Sequence, residues 1–281
     1  MSDNIRIQNL TKRFEGFALE GVSFAVPRGA VVGFIGENGA GKSTTIKSIL
    51  GLIRPDGGSV EVFGKDVGSL TKEERGRLGA VLGDGKLPEN LTAKDLDGVF
   101  RHIFARWDAA AFFAYLDRFA LPRGKKIKDF SRGMRQKFAL AVALSHGADV
   151  LVLDEPTAGL DPVARDEILD ILYDFMQDER RSVLISSHIV SDLEKLCDYI
   201  AFIHRGRLVF FEEKDALYEK YAVLRAPLET LRSCADAVVA VHRGEFGAGA
   251  LVLRAKLPAG IPVERAGIED IMLYFARGEK L

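Results

Sequence analysis

The sequence predicts an α/β fold built around a nucleotide-binding sheet, on three observations. An apolar run, a glycine-rich turn and an amphipathic stretch follow one another without a gap over residues 31–49. Continuous apolar runs at 150–153 and 183–185 are typical of strands buried on both faces of a parallel sheet. Short alternating segments at 5–8, 22–26 and 60–62 predict an antiparallel sheet beside this core.

The glycine-rich turn fits the pattern G-x-x-x-x-G-K-[ST] of a phosphate-binding loop. Glycines let the backbone wrap closely around phosphates, and the N–H groups and the following helix N-terminus then attract the anion. Lys42 is expected to reach the β- and γ-phosphates, and the Ser43 hydroxyl to ligate Mg²⁺. The alternative is a strand–helix turn that binds nothing. The predicted nucleotide contacts are Gly36, Asn38, Gly39, Ala40, Gly41, Lys42, Ser43 and Thr44.

Size and composition limit the classes of function that the chain can have. The chain has 281 residues and a net charge of −1, which argues against a sequence-independent grip on nucleic acid or anionic lipid. No apolar run approaches the roughly 20 residues that span a bilayer, and the first residues lack a signal-peptide pattern. The two cysteines, Cys197 and Cys234, have no metal-ligand spacing. We expect a cytosolic protein that reaches a membrane only through a partner.

Three chemically capable side chains follow the predicted parallel strands. Asp154 and Glu155 end one apolar run, and His188 directly follows the next. Ligands bind at the carboxyl ends of strands in open α/β sheets. Asp154 is therefore expected to hold Mg²⁺, Glu155 to polarise a water that attacks the γ-phosphate, and His188 to contact that phosphate. Solvated acids at a strand end and a structural histidine are the alternatives.

Other segments complete the secondary-structure prediction. A capping box at 92–95 and a cap at Asp108 begin two helices, the second ended by Leu121-Pro122. Ser131 opens another helix, where it either only caps or also offers a free N-terminus to an anion. Asp161-Pro162 begins a further helix. After residue 220, strands are predicted at 237–241 and 250–253, and a helix at 268–275.

Taken together and in this order, the phosphate loop, Ser131–Gln136, Asp154-Glu155, Asp161 and His188 resemble an ABC-transporter nucleotide-binding subunit over roughly residues 3–220. The resemblance implies a P-loop NTPase of the ABC ATPase type, with a mixed RecA-like core sheet, an antiparallel β subdomain and a helical subdomain at about 90–148. It divides the chain into an ATPase domain, 1–220, and a small α+β C-terminal extension, 221–281.

The resemblance also implies roles and partners. Phe14 matches the aromatic position that stacks on the base, although a core phenylalanine is the structural alternative. Ser131 and Gly133 match the signature that binds the γ-phosphate held by the opposite subunit, and Asp161 matches a loop that contacts that subunit. ATP and Mg²⁺ are the implied cofactors. Transmembrane permease subunits and a second, identical or related ATP-binding subunit are the implied partners, at the cytoplasmic face of the membrane.

Two departures from the family pattern matter. The signature reads Phe-Ser-Arg-Gly-Met rather than Leu-Ser-Gly-Gly-Gln, a form that resembles bacterial exporter ATPases for antibiotics, peptides, lipids or sodium. Gly83 stands where the family has a Mg²⁺-contacting glutamine, and the adjacent Asp84 is a candidate substitute. The second departure puts the coupling between hydrolysis and transport in question.

Two other functions remain open at this point. One is a soluble ABC-type ATPase that acts on ribosomes or DNA, which the single cassette and the absence of basic excess or heptads disfavour. The other is a regulatory module that uses ATP only to dimerise. Glu155 and His188 argue against it, whereas Gly83 favours it.

Overall fold

The computed structural model describes residues 3–83, 87–244 and 247–281. Within these ranges, no helix combines the length and the apolar character that crossing a membrane requires. The described strands are β1 (Asp3–Phe14), β2 (Phe17–Pro27), β3 (Val31–Ile35), β4 (Gly57–Val62), β5 (Lys65–Asp66), β6 (Leu78–Val81), β7 (Val150–Asp154), β8 (Ser182–Ser187), β9 (Tyr199–His204), β10 (Arg207–Glu213), β11 (Tyr221–Arg225), β12 (Val238–Gly244), β13 (Gly247–Leu253) and β14 (Glu264–Arg265). The described α-helices are α1 (Lys42–Ile49), α2 (Lys72–Arg75), α3 (Ala93–Ile103), α4 (Ala109–Arg118), α5 (Arg132–Ser145), α6 (Pro162–Phe175), α7 (Val190–Leu196), α8 (Lys214–Lys220), α9 (Leu228–Ser233) and α10 (Ile268–Arg277).

The central sheet has six strands in the order β10-β9-β3-β8-β7-β6. The four strands β3, β6, β7 and β8 pair in parallel, β9 is parallel to β3, and β10 closes a hairpin with β9. Every residue of β3, β7 and β8 is buried, which explains their nearly continuous apolar sequences. The predicted parallel core is confirmed.

A second, antiparallel sheet lies beside this core in the order β2-β1-β4-β5. Its inward-facing residues include Ile5, Ile7 and Val22, which form one apolar cluster with Val32 and Phe34 of β3. The alternation predicted from the sequence thus buries one face of this sheet against the parallel core.

The described residues between β6 and β7 include the helices α3, α4 and α5. Thr92 and Asp95 form the predicted capping box of α3, and Asp108 caps α4 through the Ala111 N–H. Helix α4 ends at Arg118, earlier than the predicted stop at Leu121-Pro122. Ala120 adopts a left-handed conformation (φ 51°), and the Leu121 N–H donates to Leu116 O, which is the bonding pattern of a Schellman end.

The C-terminal residues form a third sheet in the order β12-β13-β11-β14, with α10 packed beside it. The predicted strands and terminal helix are confirmed, whereas β11 was not predicted. Phe275 of α10 lies 5.7 Å from Phe210 and 5.8 Å from Tyr221 between ring centroids. Residues of this segment therefore belong to the same apolar cluster as the central sheet.

A core substitution in the helical segment tests this packing. Phe138 of α5 is fully buried and meets Phe112 and Phe130 edge to face. Phe138→Ala is expected to lower the free energy of unfolding by about 3–5 kcal/mol, because it leaves a cavity. Urea denaturation measures this change. Tyr173→Ala is the control, because Tyr173 on α6 is 65% exposed, and equal losses in both variants would contradict the assigned packing.

Candidate nucleotide-binding site

The phosphate loop connects β3 directly to α1. Two of its positions have no room for a side chain, which explains why they are glycines. A Cβ on Gly36 would lie 2.5 Å from Ile203 O, and one on Gly41 would lie 2.4 Å from Leu19 Cδ2. Gly41 also has φ 115°, a region that L side chains rarely adopt. The backbone thus approaches β9 and β2 more closely than any side chain would allow. This compact path leaves the N-terminus of α1 without a side-chain cap.

Lys42 lies inside the loop rather than in solvent. Its side chain is 6% exposed, and Nζ donates to Gly36 O at 2.6 Å. The same Nζ is 3.7 Å from Glu155 Oε1. Because Nζ also donates to Glu37 O at 3.4 Å, the ammonium group is held within the loop by two backbone carbonyls and one carboxylate, as a buried charge requires.

A cleft of about 520 Å³ opens beside this lysine. Asn38, Gly39 and Ser43 are exposed, Thr44 is half-buried, and Ala40 is buried with its N–H donating to Glu37 O. The residues that line the cleft are Gly16, Phe17, Glu37, Asn38, Gly39, Gly41, Lys42, Ser43, Thr44 and Glu155. The structure thus brings most of the predicted loop residues and one strand-end acid to one cleft.

The acids that follow β7 have different surroundings. Asp154 is 6% exposed and accepts a 2.6 Å hydrogen bond from Ser186 Oγ of β8. Glu155 is half-buried, has a left-handed backbone (φ 53°), and donates its N–H to Ser186 at 3.1 Å. Such a conformation in a non-glycine residue at a strand end is typical of functional sites. Ser186, which the sequence reasoning did not identify, fixes both acids.

The Glu155 carboxylate also faces His188. The distance from His188 Nδ1 to Glu155 Oε2 is 2.5 Å, and the His188 side chain is 54% exposed. Gln136 of α5 donates its Nε2 to the Glu155 main-chain oxygen at 2.5 Å. The two predicted catalytic side chains are therefore adjacent, and a residue just after the signature segment positions one of them.

Ser131 and Gly133 lie at the start of α5. The Ser131 side chain accepts from the Met134 N–H as the helix cap, and Ser131 itself is exposed. A Cβ on Gly133 would meet Leu160 Cδ2 at 2.9 Å, so the helix packs closely on the loop before α6. Neither residue lines the phosphate-loop cleft of its own chain, as far as the described residues show.

Asp161 caps α6, as predicted, by accepting from Val163 and Ala164. The hydrogen bond from the Ala164 N–H is the main reason why the pKa of this carboxyl is lowered from its ordinary value. The buried carboxylate of Asp192 accepts a 2.8 Å hydrogen bond from Thr157 in the same loop. This contact joins the loop to α7, and no local pattern in the sequence indicated it.

The aromatic residue at the cleft differs from the predicted one. Phe17, at the start of β2, lines the cleft, whereas Phe14 is 46% exposed and stacks on Phe17 with centroids 6.5 Å apart. Lys12 Nζ lies 5.8 Å from the Phe14 ring. Base stacking by Phe14 stays a prediction, and Phe17 is the ring that the structure places at the cleft wall.

The loop also contains an acid that the sequence reasoning did not consider. Glu37 is 3.6 Å from Arg277 Nη2 of α10 and 3.8 Å from His204 Nδ1. The His204 Nδ1 atom is buried without a hydrogen-bond partner among the described atoms. The C-terminal helix therefore reaches the phosphate loop, and Arg277 partly offsets the negative charge of Glu37, the one acidic residue of that loop.

The residues predicted to hold Mg²⁺ fit a sparsely ligated ion. Ser43 borders the phosphate-loop cleft, and Asp154 is the last residue of β7. Asp84, the third predicted ligand, lies outside the described residues. Within the described ranges, no group of three or more acidic, histidine or cysteine side chains could hold a metal. Such a site suits Mg²⁺ only if substrate phosphates complete the coordination.

Fold and site together define a phosphate-loop nucleotide-binding protein with a parallel core sheet. A family model described as ABC transporter matches residues 19–158. A bacitracin transport ATP-binding protein of Bacillus licheniformis is 35% identical over 212 residues, which cover 74% of this chain and 69% of that protein. A Nod factor export ATP-binding protein of Burkholderia orbicola is 37% identical over 221 residues, which cover 76% and 72%.

A solved structure of an ATP-binding subunit of an ABC transporter has a TM-score of 0.69, 28% identity, and a match covering 76% of this chain and 91% of that one. The chain therefore belongs to the ABC transporter ATP-binding proteins, and it is an ATPase. This confirms the resemblance and the fold class predicted from the sequence.

The close backbone approach at Gly36 can be tested directly. Gly36→Ala is expected to lower the free energy of unfolding by about 1–3 kcal/mol, because its Cβ collides with the Ile203 carbonyl. Thermal or urea denaturation of the purified chain measures the loss. Gly98→Ala is the control, since a Cβ on this helical glycine meets nothing within 4 Å. Unchanged stability of Gly36→Ala would contradict the described path of the loop.

Proposed function

We propose that this ATPase is the motor subunit of an ABC exporter, bound to transmembrane permease subunits at the cytoplasmic face of the membrane. The observation that supports it best is the convergence of Lys42, Glu155 and His188 at one edge of the sheet. A module that only bound ATP would not need a carboxylate and an imidazole beside the lysine. The exporter assignment is supported by the transport and export functions in the names of the two relatives, and by the Ser-x-Gly-Met signature.

The phosphate loop is proposed to hold the ATP phosphates on its backbone N–H groups. Lys42 would exchange its contact with Gly36 O for the β- and γ-phosphates, so its charge stays compensated. Ser43 and Asp154 would hold Mg²⁺, which when bound neutralises phosphate charge. Asn38, Gly39, Ala40, Gly41 and Thr44 complete the proposed nucleotide contacts, and Phe14 or Phe17 would face the base.

Glu155 is the proposed general base or water-positioning group. Its carboxylate lies between the Lys42 ammonium and the His188 ring, and Gln136 and Ser186 hold its main chain. A carboxylate fixed in this way can accept a proton from water that attacks the γ-phosphate. His188 would orient the carboxylate and contact the same phosphate.

The site is proposed to be completed by a second subunit. Ser131, Gly133 and Asp161 lie on the start of α5 and α6, away from the cleft that contains the phosphate loop. In a head-to-tail dimer, the exposed N-terminus of α5 would face the γ-phosphate held by the partner. ATP would then stabilise the closed dimer more than ADP does, since only a difference in affinity between the open and closed states shifts such an equilibrium.

The boundary between an ATPase domain and an extension near residue 220 also stays a proposal.

Glu155→Gln is expected to keep ATP affinity within about threefold while it lowers kcat by at least about a hundredfold, because it removes the base and preserves the shape. Phosphate release and equilibrium binding of fluorescent ATP measure the two quantities.

Two comparison variants sharpen this test. Lys42→Ala should instead weaken ATP binding, and Glu264→Gln, at a 60%-exposed carboxylate on β14, should change neither quantity. Hydrolysis by Glu155→Gln at the unmodified rate would show that Glu155 is not the base.

Co-purification tests the transport assignment. Gentle detergent extraction of cells that contain the tagged chain should retain a multi-helix membrane protein in stoichiometric amount. Glu155→Gln with ATP should increase the recovery, because the ATP-bound form is no longer depleted by hydrolysis. Mass spectrometry identifies the partner. Recovery of ribosomes or DNA, with no membrane protein, would favour the soluble ATPase instead.

A further inference from the structure

A second polar cleft lies on the edge of the central sheet opposite the phosphate loop. Arg77 immediately precedes β6, Asp149 precedes β7, and Arg181 precedes β8. Because these strands are parallel, all three residues lie where the strands begin, whereas Glu155 and His188 lie where they end. The cleft has a volume of about 350 Å³, and Arg28, Arg106, Asp178 and Arg180 also line it. It shares no residue with the nucleotide site.

The charge of this cleft is unbalanced. Five guanidinium groups face two carboxylates, an excess of three positive charges in a chain whose net charge is −1. Asp149 is 2.5 Å from Arg77 Nε and 3.5 Å from Arg106 Nη1. Asp178 pairs with Arg180 at 2.9 Å and with Arg181 at 3.6 Å. Each carboxylate therefore already serves two arginines, and the remaining positive charge is left to attract an anion.

Three of the five arginines pack against neighbouring residues in the absence of a ligand. The Arg77 guanidinium carbon is 4.0 Å from the centroid of Phe63, and that of Arg181 is 4.7 Å from Phe175. Arg106 packs on Gly147, where a Cβ would meet its Nε at 3.0 Å. Stacked or packed side chains lose little conformational freedom on binding, and their outer N–H groups stay available.

We propose that this arginine cleft binds a small polyvalent anion that carries phosphate groups. A guanidinium fork matches two phosphate oxygens, and several forks around one cleft suit a dianion or trianion. A single carboxylate would leave most of the excess charge uncompensated. The phosphate group can come from a soluble molecule, such as pyrophosphate, or from an anionic lipid headgroup, and the two sources give different results in the test below.

The experiment uses the full chain with Lys42→Ala, so that phosphate binding at the phosphate loop is suppressed. Isothermal titration with pyrophosphate tests the soluble source. Flotation with vesicles of phosphatidylcholine, with or without phosphatidylglycerol, tests the headgroup. Both are repeated after Arg28→Gln alone and after Arg28→Gln with Arg180→Gln. Arg118→Gln is the matched control, because it removes an equally charged, exposed arginine that pairs with Asp174 outside the cleft.

We expect the double variant to bind pyrophosphate at least about tenfold more weakly, the single variant to lie between, and the control to be unchanged. Higher salt should weaken binding as well. If phosphatidylglycerol vesicles but not pyrophosphate show this dependence on Arg28 and Arg180, the ligand is a headgroup. Binding that is absent for both probes, or that falls equally in Arg118→Gln, overturns the proposal. Arg28→Gln lies in an exposed turn and keeps the test valid if the double variant folds poorly.

Discussion

The parallel pairing of β3, β8 and β7 is the constraint on which the rest of the site depends. Ile35 pairs with Ser187, and Ser186 pairs with Asp154. The next residue of each strand is therefore Gly36, His188 or Glu155, so the register alone brings the loop, the base and the imidazole together. All three strands are buried on both faces, so a slip by one residue would move each side chain to the opposite packed face and separate the three groups.

Electrostatic compensation then shapes the site in detail. Lys42 is almost completely buried, so its charge needs partners, and Gly36 O and Glu155 supply them. Glu155 in turn lies between Lys42 and His188. Its main chain is bonded to Ser186 and Gln136, so the carboxylate keeps a defined direction. The contacts that stabilise the buried lysine are therefore the ones that orient the acid beside the cleft.

The sequence predicted the features whose signals are local. The phosphate loop, the helix caps at Thr92, Asp108 and Asp161, and the buried strands each depend on neighbouring residues, and all are present. The end of α4 was predicted a few residues late. The left-handed residue that ends the helix is Ala120, whereas the usual sequence signal for such an end is a glycine. Strand β11 was missed since it directly follows α8 and pairs with the distant β13.

Contacts between residues that are distant in the sequence were not predicted either. Phe17 at the cleft wall, Ser186 beneath the two acids and the Asp192–Thr157 contact depend on which segments the folded chain brings together. The arginine cleft is the strongest case, because its guanidinium groups come from segments that lie far apart in the sequence. No spacing in the sequence connects such residues.

Glu37 shows how the C-terminal segment enters this arrangement. A carboxylate within a loop whose amides attract phosphate opposes the binding of an anion, since like charges repel. Arg277 of α10 approaches that carboxylate from one side and His204 of β9 from the other. The packing of Phe275 on Phe210 and Tyr221 fixes the helix that presents Arg277. The phosphate loop of this chain is therefore balanced by a residue outside the region that the family model matches, which makes the last helix part of the electrostatic environment of the nucleotide site.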